Sequence, residues 1–307
     1  MNENERLDGI KAFWNENSDS EWYRSLRTEE KIHALQERPE RAFHPAVYAL
    51  IRKIFPDLTK AKVLLPSSGD NHAAFALSLL GAQVTSADIS ERQLENAAEI
   101  AARLRLNIEF VCDDTMQLSH ISDQAYDLVY TSNGTLSWIN DLDSMNRNIC
   151  RVLKKGGYSA MYDMHPFNRP FSGEAWQAPH IIKSYQDVLP DLHWRIQDIL
   201  NSQIRAGLTL CEMAELPATD ASFWFTLRNC SKRAGRSWKG STIGRKTLWP
   251  RCPHGWRWFR RKRSEKCRTA IGAISRNRTS GFCFMTALSG RCSFRMSRII
   301  SGDVFWC

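Results

Sequence analysis

Between Pro45 and Phe55, the residues Val47, Leu50, Ile51 and Ile54 recur three and four positions apart, which puts them on one face of a helix. Pro45 suits the first turn, where a missing N–H costs nothing. The rest of residues 1–60 reads as further helices, with Trp14, Trp22 and Tyr23 set among polar neighbours. Such aromatics either roof a ligand site or pack a helical cap onto a core. At Lys62 the rhythm changes. Val63-Leu64-Leu65 predicts a short strand, and P-S-S-G-D-N (Pro66–Asn71) leads into an apolar helix over 73–80 that Gly81 closes. Further strands are predicted over 83–87, 107–112, 126–131, 158–163 and 208–215. A long helix starts at Ser90, with Gln93 completing a capping box and Ile89 and Leu94 a hydrophobic staple. Other helices end at Leu153 and Ala206. Strands alternating with helices predict an α/β fold, a Rossmann-like doubly wound sheet, mostly parallel, with helices on both faces. Residues 1–60 form its helical cap, 61–227 the domain itself, and 228–307 an irregular, disordered tail in which periodicity fails.

In such sheets ligands lie beyond the carboxyl ends of the strands, where the strand order reverses. The predicted ends carry Ser67-Ser68-Gly69, Asp88, Asp114, Thr131-Ser132-Asn133 and His165. Small residues in a tight strand-to-helix turn let a ligand approach the backbone. An acid at the end of the second strand can accept both hydroxyls of a ribose, and Asp88 stands 21 residues after Ser67. The competing role, capping the next helix, falls better to Ser90. Asp114 can accept a hydrogen bond from an adenine amino group, or cap its own loop. His165 is either a proton acceptor with a near-neutral titration range or part of a turn shaped with Pro166. The long irregular stretch Pro166–Leu192, holding Arg169, Phe171, Trp176, His180 and Tyr185, reads as a lid or substrate loop.

Taken together, these motifs resemble the class I S-adenosylmethionine-dependent methyltransferases over roughly Lys62–Leu216. V-L-L-P-S-S-G-D-N stands where that family has a strand and G-x-G-x-G, and V-T-S-A-D-I-S where it has its ribose-binding acid. V-C-D-D-T-M-Q-L resembles the adenine-side motif, Y-D-L-V-Y-T-S-N-G the fourth-strand motif, and R-V-L-K-K-G-G-Y the motif before strand five. The resemblance implies S-adenosylmethionine as cofactor. Ser67, Ser68 and Gly69 would pass its methionine moiety and Asp88 would hold the ribose. Ile89 would pack on adenine, Asp114 and Thr115 would flank the adenine edge, and Thr131 would sit below the sulfonium. His165 is the candidate general base, and Asn133, Trp138 and Arg169 are the candidate acceptor contacts. The expected reaction is methyl transfer to a small-molecule acceptor. The sequence departs from the family at Ser67 and Asn71, which replace the first and third loop glycines. Serine fits there at negative φ, and asparagine tolerates left-handed geometry. The same departure counts against an NAD-dependent oxidoreductase, which needs a glycine where pyrophosphate meets the helix N-terminus.

Charge changes the picture of the tail. Of 307 residues, 1–227 hold 22 Lys and Arg against 31 Asp and Glu, whereas 228–307 hold 20 against only Glu265 and Asp303. Six of the nine cysteines and five of the eleven tryptophans also fall after Leu227. One functional class for such a segment is nucleic-acid binding, through basic residues on phosphates and aromatics on bases. Another is a shifted reading frame. Tryptophan has one codon, so W-R-W-F (Trp256–Phe259), reread one frame over with Arg257 as CGN, gives an apolar, strand-forming run. A shift near 225–235 would therefore hide the sheet's seventh strand and make the tail non-native, leaving nucleic acid no partner of the protein. An inactive remnant of a methyltransferase is the remaining class. No apolar run approaches the length of a membrane span and the N-terminus lacks a signal core, so the expected location is the cytoplasm. Without C-x-x-C or H-E-x-x-H, no metal is expected. The acceptor atom and the oligomeric state are not legible.

Overall fold

Seven strands line up in one sheet: β1 (Lys62–Pro66), β2 (Gln83–Asp88), β3 (Ile108–Cys112), β4 (Tyr126–Ser132), β5 (Leu153–Met164), β6 (Leu208–Leu216) and β7 (Gly281–Leu288). The structure is a computed structural model that describes residues 3–132, 134–166, 184–187, 194–216 and 281–288. The strand order is β3-β2-β1-β4-β5-β7-β6, with β1 to β5 parallel and β7 antiparallel to both β5 and β6.

Alternation along each strand decides what covers it. Val63, Leu65, Leu128, Tyr130 and Ala160 share one face. They pack under α3 (Glu29–Glu37), α4 (Pro45–Ile54), α5 (His72–Leu79) and α6 (Glu91–Leu104). Leu64, Ala87, Val129 and Met161 take the other face, under α7 (Leu142–Val152) and α8 (Ile196–Arg205). A central parallel strand buried on both faces reads as a continuous apolar run, which is why V-L-L carries no polar residue. The helix predicted over 45–55 forms with Val47, Leu50 and Ile51 buried and His44 as its cap. Gly81, at φ +97°, ends α5 in the left-handed conformation that favours glycine.

The N-terminal cap is tied to the domain through polar contacts. Arg6 of α1 (Glu3–Asn17) donates to Asn140 Oδ1 at 2.7 Å, and Asn15 Oδ1 accepts from Ser90 Oγ at 2.7 Å. Beyond α2 (Glu21–Leu26), Arg27 bridges the Ser18 carbonyl and the Asp70 carboxylate. His72 Nε2 meets the Leu26 carbonyl at 3.0 Å, and burial holds that imidazole down at about 4, so it is neutral near pH 7.

The tail reading needs a correction. Residues 281–288 are not irregular: they form β7, the strand that joins β5 to β6. Its Met285 and Thr286 are fully buried, with Met285 in the core beside Ala160 and Tyr162. The physical reason is local. Between Arg278 and Arg291 the chain carries no charge, so G-F-C-F-M-T-A-L can lose water on both faces while the basic sequence around it cannot. The sheet accordingly extends beyond 61–227. The rest of 228–307, together with Asn133 and Arg169, lies outside the described residues.

Candidate functional site

The strand order reverses between β1 and β4, and a cleft opens there beyond the carboxyl ends of β1 to β4. It measures about 810 Å³ with its open mouth included, and α1 forms its roof. The first wall is the turn after β1. Ser67 sits at φ +49°, not at the negative φ that its sequence suggests is cheapest. A left-handed non-glycine residue costs roughly 1–2 kcal/mol. Its hydroxyl offsets part of that cost through a 2.7 Å hydrogen bond with Thr115 Oγ1. Asn71 is the other reversal. Its φ is −62°, and it serves as the N-cap of α5 instead of a left-handed hinge, its Oδ1 accepting from Ala73 N. Its Nδ2 donates to Ser132 Oγ at 3.0 Å and so ties the β1 turn to the end of β4.

Asp88 closes the second wall. Its Oδ2 accepts from Gly69 N at 2.8 Å and its Oδ1 from Ser90 N at 2.9 Å, so one carboxylate holds both the β1 turn and the start of α6. Ser90 does cap α6, accepting from Gln93 N. The other half of the expected capping box is absent, because the Gln93 side chain turns into the cleft wall and accepts from Asp70 N. Burial raises the Asp88 carboxyl to about 6, against the lowering effect of its backbone hydrogen bonds. Asp70 also stands at about 6, raised by burial and lowered by the Arg27 guanidinium. Tyr23 is pushed up to about 12 by burial and by the nearby Asp70.

Of the two acids after β3, only Asp114 lines the cleft. The Asp113 carboxylate turns away and accepts from His120 N at 2.7 Å. Overhead, Trp14 packs on Trp138 with centroids 5.0 Å apart and edge-on to Tyr23 at 5.9 Å. All three rings line the cleft, so the aromatics are at once core packing and roof.

Of the residues singled out from sequence, the cleft brings together Ser67, Ser68, Gly69, Asp88, Ile89, Asp114, Thr115 and Trp138. Thr131 is not among them. It is buried on the α7 side of β4, and its neighbour Ser132 takes the cleft face because successive residues of a strand point to opposite sides. His165 lies along the same sheet edge, outside the cleft lining, with Nε2 2.8 Å from Glu215 Oε1. Sequence reasoning missed Leu7, Ile10, Asp70, Gln93, Met116 and Thr135, which reach the cleft only through tertiary docking.

The lining has a consistent sign. Among the described residues it holds Asp70, Asp88 and Asp114 and no lysine, arginine or histidine. A pyrophosphate would meet carboxylates there, whereas a ligand carrying a sulfonium and an ammonium is complemented. Gly69 adds a cradle: at φ +50°, a Cβ built on it would lie 1.8 Å from Gln93 Oε1. Gly69→Ala is therefore expected to lower stability by about 2 kcal/mol, from left-handed strain plus displacement of the buried Gln93 amide. Thermal unfolding of the ligand-free protein measures this directly.

A doubly wound sheet of this order thus carries an acidic, aromatic-roofed cleft at its switch point. Residues 65–161 match the methyltransferase domain family, and S-adenosylmethionine is the cofactor. Among solved structures, the chain is similar to an S-adenosylmethionine-dependent methyltransferase from Mesorhizobium loti. The two share 18% identity over 79% of this chain and 97% of that one, with a TM-score of 0.50. It is also similar to magnesium protoporphyrin IX methyltransferase from Synechocystis, solved with bound S-adenosylhomocysteine. There the identity is 13% over 92% of this chain and all of the other, with a TM-score of 0.52. These likenesses concern the fold. No curated protein matches the chain. Among the described residues, no helix is long and apolar enough to cross a membrane and no cluster could hold a metal ion.

Proposed function

We propose that the chain methylates a small-molecule acceptor, with the cofactor held in the cleft between the β1 turn, Asp88, Asp114 and the aromatic roof. The observation that carries this is the lining itself, three carboxylates and three aromatic rings without a cationic side chain among the described residues. When bound, S-adenosylmethionine supplies a methyl group on a positively charged sulfur, a leaving group that needs no protonation. The protein's part is then mostly orientation. Asp88 would accept the ribose hydroxyls, Ile89 would cover the adenine ring and Asp114 would accept from its amino group. Ser67, Ser68 and Gly69 would let the methionine portion pass close to the backbone.

Calorimetric titration with S-adenosylhomocysteine, with NAD as control, tests the cofactor assignment. Binding in the micromolar range, about −8 kcal/mol, is expected for the first ligand and none for the second. Binding of NAD in its place would turn the assignment toward a dehydrogenase.

Affinity should also depend on pH with a definite sign. Ribose hydroxyls donate, so they favour the ionised form of Asp88, and that carboxyl titrates at about 6 in the free protein. S-adenosylhomocysteine affinity is expected to fall about tenfold per pH unit below 6 and to level off above it. The effect of this group on stability runs the other way. From about pH 4 to 6 the folded state keeps a proton that the unfolded chain has released, so its contribution is lost as pH rises through that window. Titrations at pH 5, 6 and 8 would separate the two, and a flat affinity profile would remove Asp88 from the ribose.

A further inference from the structure

We infer that the aromatic roof makes the cleft select for positive charge, so that the chain binds its methyl donor more tightly than the product the donor becomes. Trp14 and Tyr23 are the specificity-determining residues. This deepens the methyl-transfer reading above and rests on it. The two ligands differ by one methyl group and one charge. S-adenosylmethionine carries a sulfonium, an ammonium and a carboxylate, and so one net positive charge, whereas S-adenosylhomocysteine has a neutral thioether and no net charge.

The strand order lays the cleft out as a series of walls: the end of β3, then β2, then the β1 turn, then β4. Asp114 and Asp88 stand on the first two, at the places proposed for adenine and ribose. What is left for the sulfur runs from the β1 turn to Ser132 at the end of β4. The rings follow that stretch. Trp138 comes after β4 and packs on Trp14, and Trp14 packs in turn on Tyr23, which lies near Asp70 of the β1 turn. Trp14 meets Trp138 at 65° and Tyr23 at 88°. Rings at such angles form corners instead of a flat stack, and corners leave π faces open.

Two features of this lining act on charge. The π face of an indole or a phenol attracts a cation, most strongly where water is excluded. The acids add a negative potential. Asp70 is met by the Arg27 guanidinium at 3.3 Å, which offsets its charge. Asp88 and Asp114 accept instead from the backbone N–H groups of Gly69, Ser90 and Met116, which carry no net charge. Among the described residues the lining holds no basic side chain to cancel them. Loss of the methyl group removes the ligand's net charge and forfeits both attractions. The methionine carboxylate and ammonium are common to donor and product, so their contribution cancels. A product held more weakly than the donor leaves the cleft to the next donor molecule.

Calorimetry on the full chain at about pH 7.5, where Asp70 and Asp88 are ionised, compares three ligands. They are S-adenosylmethionine, S-adenosylhomocysteine and sinefungin, which has a protonated amine on carbon where the donor has its methylsulfonium. The two cationic ligands are expected to bind at least about tenfold more tightly than S-adenosylhomocysteine. Trp14→Leu should cut that preference at least about threefold, and Trp14→Phe, which keeps a ring, should cut it less. The preference is a ratio within each variant, so a roof that merely loosens weakens all three ligands alike and leaves it unchanged. Tyr23→Leu gives the same reading, with a cut of about threefold, should Trp14→Leu fail to fold. Wild-type binding of S-adenosylhomocysteine as tight as that of S-adenosylmethionine would overturn the inference. So would sinefungin as weak as the product, which would make the methyl group and not the charge the selected feature, or a preference unchanged in the leucine variants. Failure of the wild type to bind any of the three would remove the methyltransferase reading and the inference with it, whereas tight binding of the product alone overturns only the inference.

Discussion

Replacing Asp88 by asparagine is expected to weaken S-adenosylhomocysteine binding by more than about a hundredfold while leaving the fold almost as stable as before. The loss comes from the ribose. Hydrogen bonds to a charged group contribute about 1.5–3 kcal/mol each, so forfeiting two removes roughly 3 kcal/mol or more. The small change in stability follows from two opposing effects. An asparagine has one accepting oxygen for the Gly69 and Ser90 N–H groups that Asp88 serves with two, which leaves one buried donor short by about 1–3 kcal/mol. Against this, the carboxyl at about 6 shows that burying its charge is unfavourable by a similar amount at pH 8, and the neutral amide relieves that. Calorimetry for binding and urea unfolding without ligand separate the two. A variant that binds normally would make Asp88 a structural clasp between the β1 turn and α6 and nothing more.

Met285→Asp is the second variant with a large expected effect, a loss of about 4 kcal/mol or more in unfolding free energy and a fall in melting temperature of about 10 °C. Met285 is fully buried in register with Ala160 of β5 and Glu212 of β6. A carboxylate there would be buried among the apolar residues of the core cluster. Met285→Leu, which keeps the volume, should stay within about 1.5 kcal/mol. Thermal unfolding of both decides between two accounts of the last 80 residues. A shifted, non-native tail would leave both variants silent, whereas a seventh strand makes only the first one damaging.

Much of this molecule was legible because the informative signals are local. V-L-L, the cap at Ser90, the C-terminal Gly81 and the acids at strand ends each depend on a few neighbours, so the strand-and-helix order and the β1–β3 side of the cleft could be written from the residues alone. What was missed depends on distance along the chain. For Trp14 and Tyr23 the residues left roof and core packing both open, and only the docking of α1 and α2, through contacts such as Arg6 with Asn140 and Trp14 with Tyr23, sets them over the cleft. Gln93 has the right spacing for a capping box, yet it is drawn to the Asp70 backbone by a turn formed 23 residues earlier. The sign of φ at Ser67 and Asn71 was reversed because a turn is set by both its ends, and Asn71 gains more as a helix cap than as a hinge. Thr131 and Ser132 differ by one residue, and a single step along a strand exchanges cleft for core. At β7 the sign of the surrounding charge masked twelve uncharged residues, 279–290, that are long enough to cross the sheet.

The insertion of β7 between β5 and β6 also has a consequence for the order in which the chain is made. Leu216 leaves the ribosome 72 residues before Leu288 does. At bacterial or eukaryotic elongation rates that interval is roughly 4–14 s. For that time β5 presents an unpaired edge and β6 has no partner, because the strand that separates them does not yet exist. Apolar strands waiting with open edges are the surfaces that aggregation exploits and that chaperones bind. The cofactor half, complete once α7 and β5 have emerged, can close first, several seconds before the β5 and β6 edges are paired.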